Sequence, residues 1–303
     1  MMGVLAGIED AAGFDLRDCD HYVGTSAGAI VAAHLVAGQS PRRPSSVGTE
    51  VAAPGTPRAV DGLAAVGLAA ARRAGAWALA TAATFAPLAL GLAAPGGAVA
   101  RALLLRRLPR PKHALNDLRR NIERLDARFD GRLRVTAVDR GSGRRVVFGS
   151  PGAPRAGVAE AVEASCTVPW LFAPVAIGGR EYVDGGVWSP TNLDAAPAGR
   201  DTHVLCLNPT ASIPATSNVL AVIRNVSRTA VSVEALALRR RGAAIRTLAP
   251  SAESVEAMGT NFMDRERRGR VLAAGYRQGL LFITASAPVG PTPPQPSLPR
   301  PRP

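Results

Sequence analysis

Residues 21–30 read HYVGTSAGAI, a short apolar segment that passes through the motif GTSAG (24–28) directly into Ala-rich sequence. Gly-x-Ser-x-Gly between a strand and a helix is typical of a nucleophile elbow, a sharp turn that holds a serine in a strained backbone conformation. The motif therefore predicts Ser26 as a nucleophile. Its small neighbours, Gly24 and Gly28, are expected to let strand and helix approach closely.

The predicted helix would also stabilise negative charge beside Ser26. The backbone amide of Ala27 and the positive end of the helix dipole would face a developing oxyanion. The motif is short, however, and a chance match is expected roughly once in five such glycine-rich chains. A glycine-rich connection without a catalytic role is the alternative interpretation.

A serine nucleophile needs a base, and none of the four histidines is well placed for that role. The order Ser26, Asp184, His203 matches an α/β-hydrolase triad, but such folds build several strands before the elbow. Only 25 residues precede Ser26, and His203 begins the apolar strand HVLCLN. The remaining histidines have no persuasive position: His21, His34 and His113.

Asp184 is the better candidate for the base. It ends the strand-like segment REYV and begins Asp-Gly-Gly, so its carboxylate can project from a strand end. Gly185 and Gly186 would let backbone or substrate come close. Asp-Gly is also a common hairpin turn, and that interpretation stays open.

Composition limits the class of protein. A chain of 303 residues with 47% hydrophobic residues can form one large α/β domain or two small ones. Its net charge of +13, almost wholly from arginine, favours contact with anionic surfaces such as phospholipid headgroups, although compositional bias would give the same surplus. Aromatic residues are only 4% and no basic-aromatic motif occurs, which argues against nucleic-acid binding.

The cysteines and the first residues indicate the cellular location. The three cysteines are scattered, without a Cys-x-x-Cys pair or a nearby histidine at metal-ligand spacing. They are interpreted as buried small residues, and neither a metal nor a cofactor is predicted. Because the first residues, MMGVLAGIEDAAG, do not resemble a signal peptide, a cytoplasmic location is expected.

Strand and helix patterns alternate along the chain, which predicts an α/β layered fold. Helices are predicted at 3–12, from the elbow to Gly38, at 113–128, at 156–165 and over most of 216–280. Strands are predicted in the pairs RLRVTAVD and RRVVFGS, and PVAI and REYVD, and in HVLCLN.

Two segments are harder to interpret. Residues 74–100 carry no charge and are long enough to cross a bilayer, but prolines and glycines break the run. Cap helices over a cleft, a segment in the membrane interface and a true span remain open. Residues 41–62 are predicted to form a loop, and residues 286–303 a disordered Pro-rich tail.

GTSAGAI together with ASCTVPWLFAPVAIGGREYVDGGVWSPTN resembles the patatin-like phospholipase family over about residues 3–40 and 113–280. The resemblance implies a three-layer α/β/α fold with a mostly parallel central sheet, and hydrolysis of lipid acyl esters by a serine-aspartate dyad. By position, Ser26 is then the nucleophile and Asp184 the base. Lipid or phospholipid is the implied substrate, with peripheral contact to an anionic membrane.

The sequence departs from the family at its start. Members carry a strand and a glycine-rich loop, which supplies oxyanion-hole amides, before the first helix, whereas here the match begins at Gly3. We therefore expect either a start upstream or an impaired protein that binds lipid without turnover. The predicted domain covers 1–285, and residues 41–112 form a loop plus an apolar cap or membrane-contacting insertion.

Overall fold

The computed structural model describes residues 1–44, 97–212, 218–259 and 266–284. The helices in these ranges are α1 (Met2–Ala12), α2 (Ala27–Val36), α3 (Ala98–Arg107), α4 (Asn116–Glu123), α5 (Val158–Cys166), α6 (Asn218–Arg240), α7 (Ala252–Met258) and α8 (Arg268–Thr284). The strands are β1 (Tyr22–Gly24), β2 (Leu133–Asp139), β3 (Arg145–Phe148), β4 (Val175–Ile177), β5 (Arg180–Asp184), β6 (His203–Leu207) and β7 (Ala244–Leu248).

Strand β2 organises the larger sheet. In the register, Val135 pairs with Phe148 of β3 and with Gly24 of β1, and Ala137 pairs with Val146 of β3 and with Asp184 of β5. Since each of these two residues of β2 has β3 on one side, its other partner must lie on the opposite side. Strands β1 and β5 therefore share the other side of β2. Strand β1 runs parallel to its first half and β5 antiparallel to its second half.

Strand β4 continues this sheet beyond β5, and β6 and β7 form a separate parallel pair. Parallel pairing thus joins β1 to β2 and β6 to β7, while the two hairpins contribute antiparallel ladders. Helices cover both faces of the larger sheet. The predicted α/β fold is confirmed.

The main core lies on the face of β2 that packs against α2 and α5. Leu133, Val135 and Ala137 from the strand meet apolar residues of both helices there, including Ile30 and Val162. The opposite face is covered by α3, whose Leu105 packs against Val138 and Val183. This alternation follows from the two-residue repeat of a strand.

Helix α1 packs along α8 at unusually close range. A Cβ atom on Gly7 would lie 2.1 Å from the carbonyl oxygen of Tyr276, and one on Gly279 would lie 2.2 Å from that of Val4. Glycines on both helices therefore let the two backbones touch. Helix α1 ends at Ala12 and is followed by Gly13, whose φ of 63° is the left-handed conformation common after a helix.

The predicted elements hold with two corrections. The helix expected over 113–128 is shorter, since α4 covers Asn116–Glu123. Strand β7 lies within 216–280, which was expected to be mainly helical. Its pattern was hard to recognise because only Ile245 of its five residues is buried. The expectations for 286–303, for most of 41–62 and for 74–100 except its last four residues lie outside the described residues; those four residues enter α3. No helix in the described ranges is both long and apolar enough to cross a bilayer.

Candidate active site

Ser26 occupies the turn between β1 and α2, in a backbone conformation that serine rarely adopts. Its φ is 53° and its ψ is −122°. A positive φ at a residue with a side chain is strained and is common at functional sites. The turn is compact, since a Cβ on Gly24 would lie 2.3 Å from the Cα of Ala29. The predicted elbow and the close approach at Gly24 are thus observed.

The expected role of Gly28 is wrong. A Cβ atom added to Gly28 meets no atom within 4 Å among the described residues. Gly28 lies in the first turn of α2, and its position does not bring it against β1 as Gly24 does. Close packing at this elbow therefore depends on the glycine before Ser26 and not on the one after it.

The strand register brings Asp184 to Ser26. Gly24 of β1 pairs with Val135 of β2, and Asp184 of β5 pairs with Ala137, two residues further along the same side of β2. The carboxyl ends of β1 and β5 therefore point toward each other, and their last residues pair with positions about 7 Å apart along β2. Ser26 and Asp184 lie where they meet.

Asp184 is buried, with 5% of its surface exposed. Burial raises its pKa from 3.8 to about 6, and hydrogen bonds from the Gly186 amide and the Ser26 hydroxyl offset part of that rise. The Gly186 amide donates to Asp184 Oδ1 at 2.7 Å. A Cβ on Gly185 would lie 2.5 Å from Thr136 Oγ1, so this turn needs glycine as expected.

Ser165 and Cys166, at the end of α5, complete the surroundings of Ser26. The backbone amide of Ser26 donates to Ser165 Oγ at 2.9 Å, and Ser165 is fully buried. The Cys166 thiol lies beside Ser26 and Asp184. Burial and the charge of Asp184 raise the pKa of this thiol, while a hydrogen bond with Ser26 lowers it, so it stays neutral. Sequence reasoning missed both residues, although they lie within the motif ASCTVP.

A third missed residue, Asn192, joins the elbow to the turn after Asp184. Its Nδ2 donates to Thr25 Oγ1 at 3.1 Å and to the Gly185 carbonyl at 3.2 Å. Thr25 and Thr136 share a further hydrogen bond of 2.8 Å between their hydroxyls. Asn192 is fully buried and has a φ of 48°. These bonds fix the two strand ends relative to each other.

The first turn of α2 contains one amide suited to an oxyanion. The amide of Gly28 donates to the carbonyl of Thr25, and the amide of Ala29 to that of Ser26. The first amides of a helix have no acceptor inside the helix. Ala27 is therefore the amide of this turn that is available to a substrate.

The histidines occupy other environments. His34 is buried in α2, where its Nδ1 bonds the Ile30 carbonyl at 2.9 Å and burial lowers its pKa. His203 is exposed at the start of β6. Among the described residues, no group of three or more His, Cys, Asp or Glu side chains is placed to hold a metal ion.

Fold and site together define an α/β protein in which a strained serine meets a buried carboxylate. A family model described as patatin-like phospholipase matches residues 1–197, a range that contains both groups. The chain belongs to the patatin-like phospholipase family. Membership supports lipid acyl hydrolase activity in general terms, with lipids as the substrate class. No curated protein matches the chain significantly.

Proposed function

We propose that the protein is a serine lipid acyl hydrolase that cleaves carboxylic ester bonds through a Ser26–Asp184 dyad. The observation that carries this proposal is the meeting of two strand ends on β2, where the strained Ser26 follows β1 and the buried Asp184 ends β5 with a pKa raised to about 6. A carboxylate of raised pKa accepts a proton more readily than an ordinary aspartate, yet is still charged at neutral pH.

In the first half-reaction, Ser26 Oγ attacks the ester carbonyl carbon and its proton passes to Asp184. The oxyanion that forms accepts a hydrogen bond from the Ala27 amide at the positive end of α2. When the carbon–oxygen bond to the alcohol breaks, Asp184 returns the proton to the leaving alcohol. An acyl group then remains on Ser26.

In the second half-reaction, Asp184 takes a proton from water and the hydroxide attacks the acyl carbon. The bond to Ser26 Oγ breaks, the serine regains the proton, and the fatty acid leaves. Both halves use the same two side chains, so the substitutions that test the first also test the second.

The test is hydrolysis of p-nitrophenyl butyrate and of phospholipid by Ser26→Ala and Asp184→Asn. Each variant should lose at least about a thousandfold in kcat. Ser232→Ala and Asp126→Asn are matched controls: Ser232 lies exposed on α6 and Asp126 is exposed after α4. Undiminished turnover in either dyad variant would show that the assignment is wrong.

The competing function is lipid binding without turnover. It is favoured by the first turn of α2, where the amides other than Ala27 already have acceptors. Loss of one oxyanion donor costs about two to three orders of magnitude in rate. If the intact protein binds phospholipid vesicles but hydrolyses neither ester, this second function is correct.

A further inference from the structure

A basic cleft of about 590 Å³ opens at the end of β5 opposite Asp184. Its lining consists of Arg106, Leu108, Arg110, Arg140, Gly141 and Glu181. Three guanidinium groups face one carboxylate, so the lining has two positive charges in excess. Neither the proposed dyad nor its supporting hydrogen bonds use these residues.

The arginines are held in place by few acceptors. Arg140 Nη1 and Arg110 Nη2 both donate to Glu181 Oε2, at 3.0 Å and 2.9 Å. Arg106 Nη2 donates to the neutral carbonyl of Gly141 at 2.9 Å. A guanidinium has five N–H donors, so each group retains donors for a further acceptor.

One wall of the cleft is formed by a helix that packs on the sheet. Helix α3 is anchored by Leu105, which is 2% exposed and packs on Val138 and Val183. Arg101 of the same helix stacks on Trp188, with 4.4 Å from its guanidinium carbon to the ring centroid. Because α3 is fixed on the sheet, its last turn presents Arg106 in a defined position.

Strand β5 links this cleft to the dyad. Glu181 is near the start of the strand and Asp184 at its end, about 10 Å apart along the chain direction. Glu181 and Asp184 lie on opposite faces, since residues alternate along a strand and Val183 faces α3. The cleft therefore lies on the other face of the sheet from Asp184 and is separate from the proposed dyad.

We propose that this cleft binds the phosphate group of an anionic phospholipid in a bilayer surface. Guanidinium groups recognise phosphate oxygens through paired N–H donors, and two surplus charges match a phosphodiester and its anionic neighbours. The chain's net charge of +13 attracts it to the same surface. This phosphate site does not depend on the proposed function.

The test compares two double variants in sedimentation with vesicles of phosphatidylglycerol or phosphatidylcholine at about 0.1 M salt. Arg106→Gln/Arg110→Gln removes two cleft charges and should bind phosphatidylglycerol about thirtyfold more weakly. Each cation that lies at the bilayer surface contributes about fivefold to the affinity. Arg124→Gln/Arg128→Gln lowers the net charge equally. Arg124 and Arg128 are exposed and lie before the start of β2. The cleft lies after the end of β2, and the strand itself is about 20 Å long.

The proposal predicts that the cleft variant loses binding and the control variant keeps it. Equal loss in both variants would mean attraction by net charge alone, and no loss in either would mean that the cleft does not contact lipid; both results overturn the proposal. Saturation of the cleft by millimolar inorganic phosphate in calorimetry, without vesicle binding, would identify a free-phosphate site and also overturn it.

Folding and turnover are controlled separately. Circular dichroism checks that the double variant is folded, and Arg110→Gln alone serves if it is not, because this side chain is 64% exposed. The single variant should lose about fivefold. Vesicle binding requires no turnover, so it is measured equally in Ser26→Ala. If the protein proves inactive on esters but the binding pattern holds, the proposed function fails and the phosphate site stands.

Discussion

Acid pH should inactivate the proposed hydrolase in a range where most aspartates are still charged. The mechanism needs Asp184 in its carboxylate form, and burial raises the pKa of this group from 3.8 to about 6. Activity should therefore fall about tenfold for each pH unit below about 6, leaving about a tenth of the plateau at pH 5. An aspartate with the ordinary pKa would retain more than about nine tenths at pH 5.

The same shift lowers the stability of the fold at neutral pH. Because the pKa of Asp184 is higher in the folded state, that state binds more protons between about pH 4 and 6, and the free energy of unfolding falls as pH rises through this window. Above about pH 6 the cost is complete, and two pKa units correspond to about 3 kcal/mol. Asp184→Asn removes the charge but keeps an oxygen for the Gly186 amide.

Asp184→Asn should thus be inactive yet up to about 3 kcal/mol more stable than the wild type at pH 7.5, and the difference should vanish below about pH 4. Urea unfolding followed by circular dichroism at both pH values measures the stability, and kcat/KM for p-nitrophenyl butyrate from pH 4 to 8 gives the profile. The control Asp126→Asn should change neither. The reasoning would be refuted if kcat/KM stayed at its plateau down to about pH 4.5, or if Asp184→Asn were less stable than the wild type at pH 7.5.

Three further substitutions test the support of the site. Ser165→Ala leaves the partly buried Ser26 amide without its acceptor and should cost about 1 kcal/mol in urea unfolding as well as lowering kcat; unchanged kcat would contradict the positioning role. Asn192→Ala separates the elbow from the turn after β5 and should lower kcat for p-nitrophenyl butyrate more than it raises KM; a change in KM alone would contradict this. Gly24→Ala should lower the temperature of thermal unfolding because the added Cβ would lie 2.3 Å from the backbone of α2. The matched control is Gly28→Ala, whose Cβ would meet no described atom within 4 Å. This control should be neutral or stabilising by up to about 1 kcal/mol.

The parts of the site that lie in short motifs could be predicted from sequence. The elbow around Ser26 and the turn after Asp184 both depend on local backbone conformation, which glycines reveal in the sequence. The packing role of Gly28 could not be judged in this way, because the pattern says where a glycine stands but not which atoms face it.

The residues that support the site could not be predicted, since their partners are distant in sequence. Ser165 bonds the amide of Ser26, 139 residues away, and Asn192 bonds Thr25, 167 residues away. Such contacts depend on which strands pair and in what register. Strand β7 was missed for a related reason: a strand with one buried residue has almost no hydrophobic pattern.

The meeting of two strand ends on one side of β2 is what lets the proposed dyad work without a histidine. In a triad, an imidazole stands between serine and carboxylate and carries the proton. Here the register on β2 brings Ser26 and Asp184 together without an imidazole in the two strand ends that meet. The carboxylate must then be basic enough alone, and burial is what raises its pKa. Groups that keep water away from Asp184 therefore act on the proposed chemistry without touching the substrate.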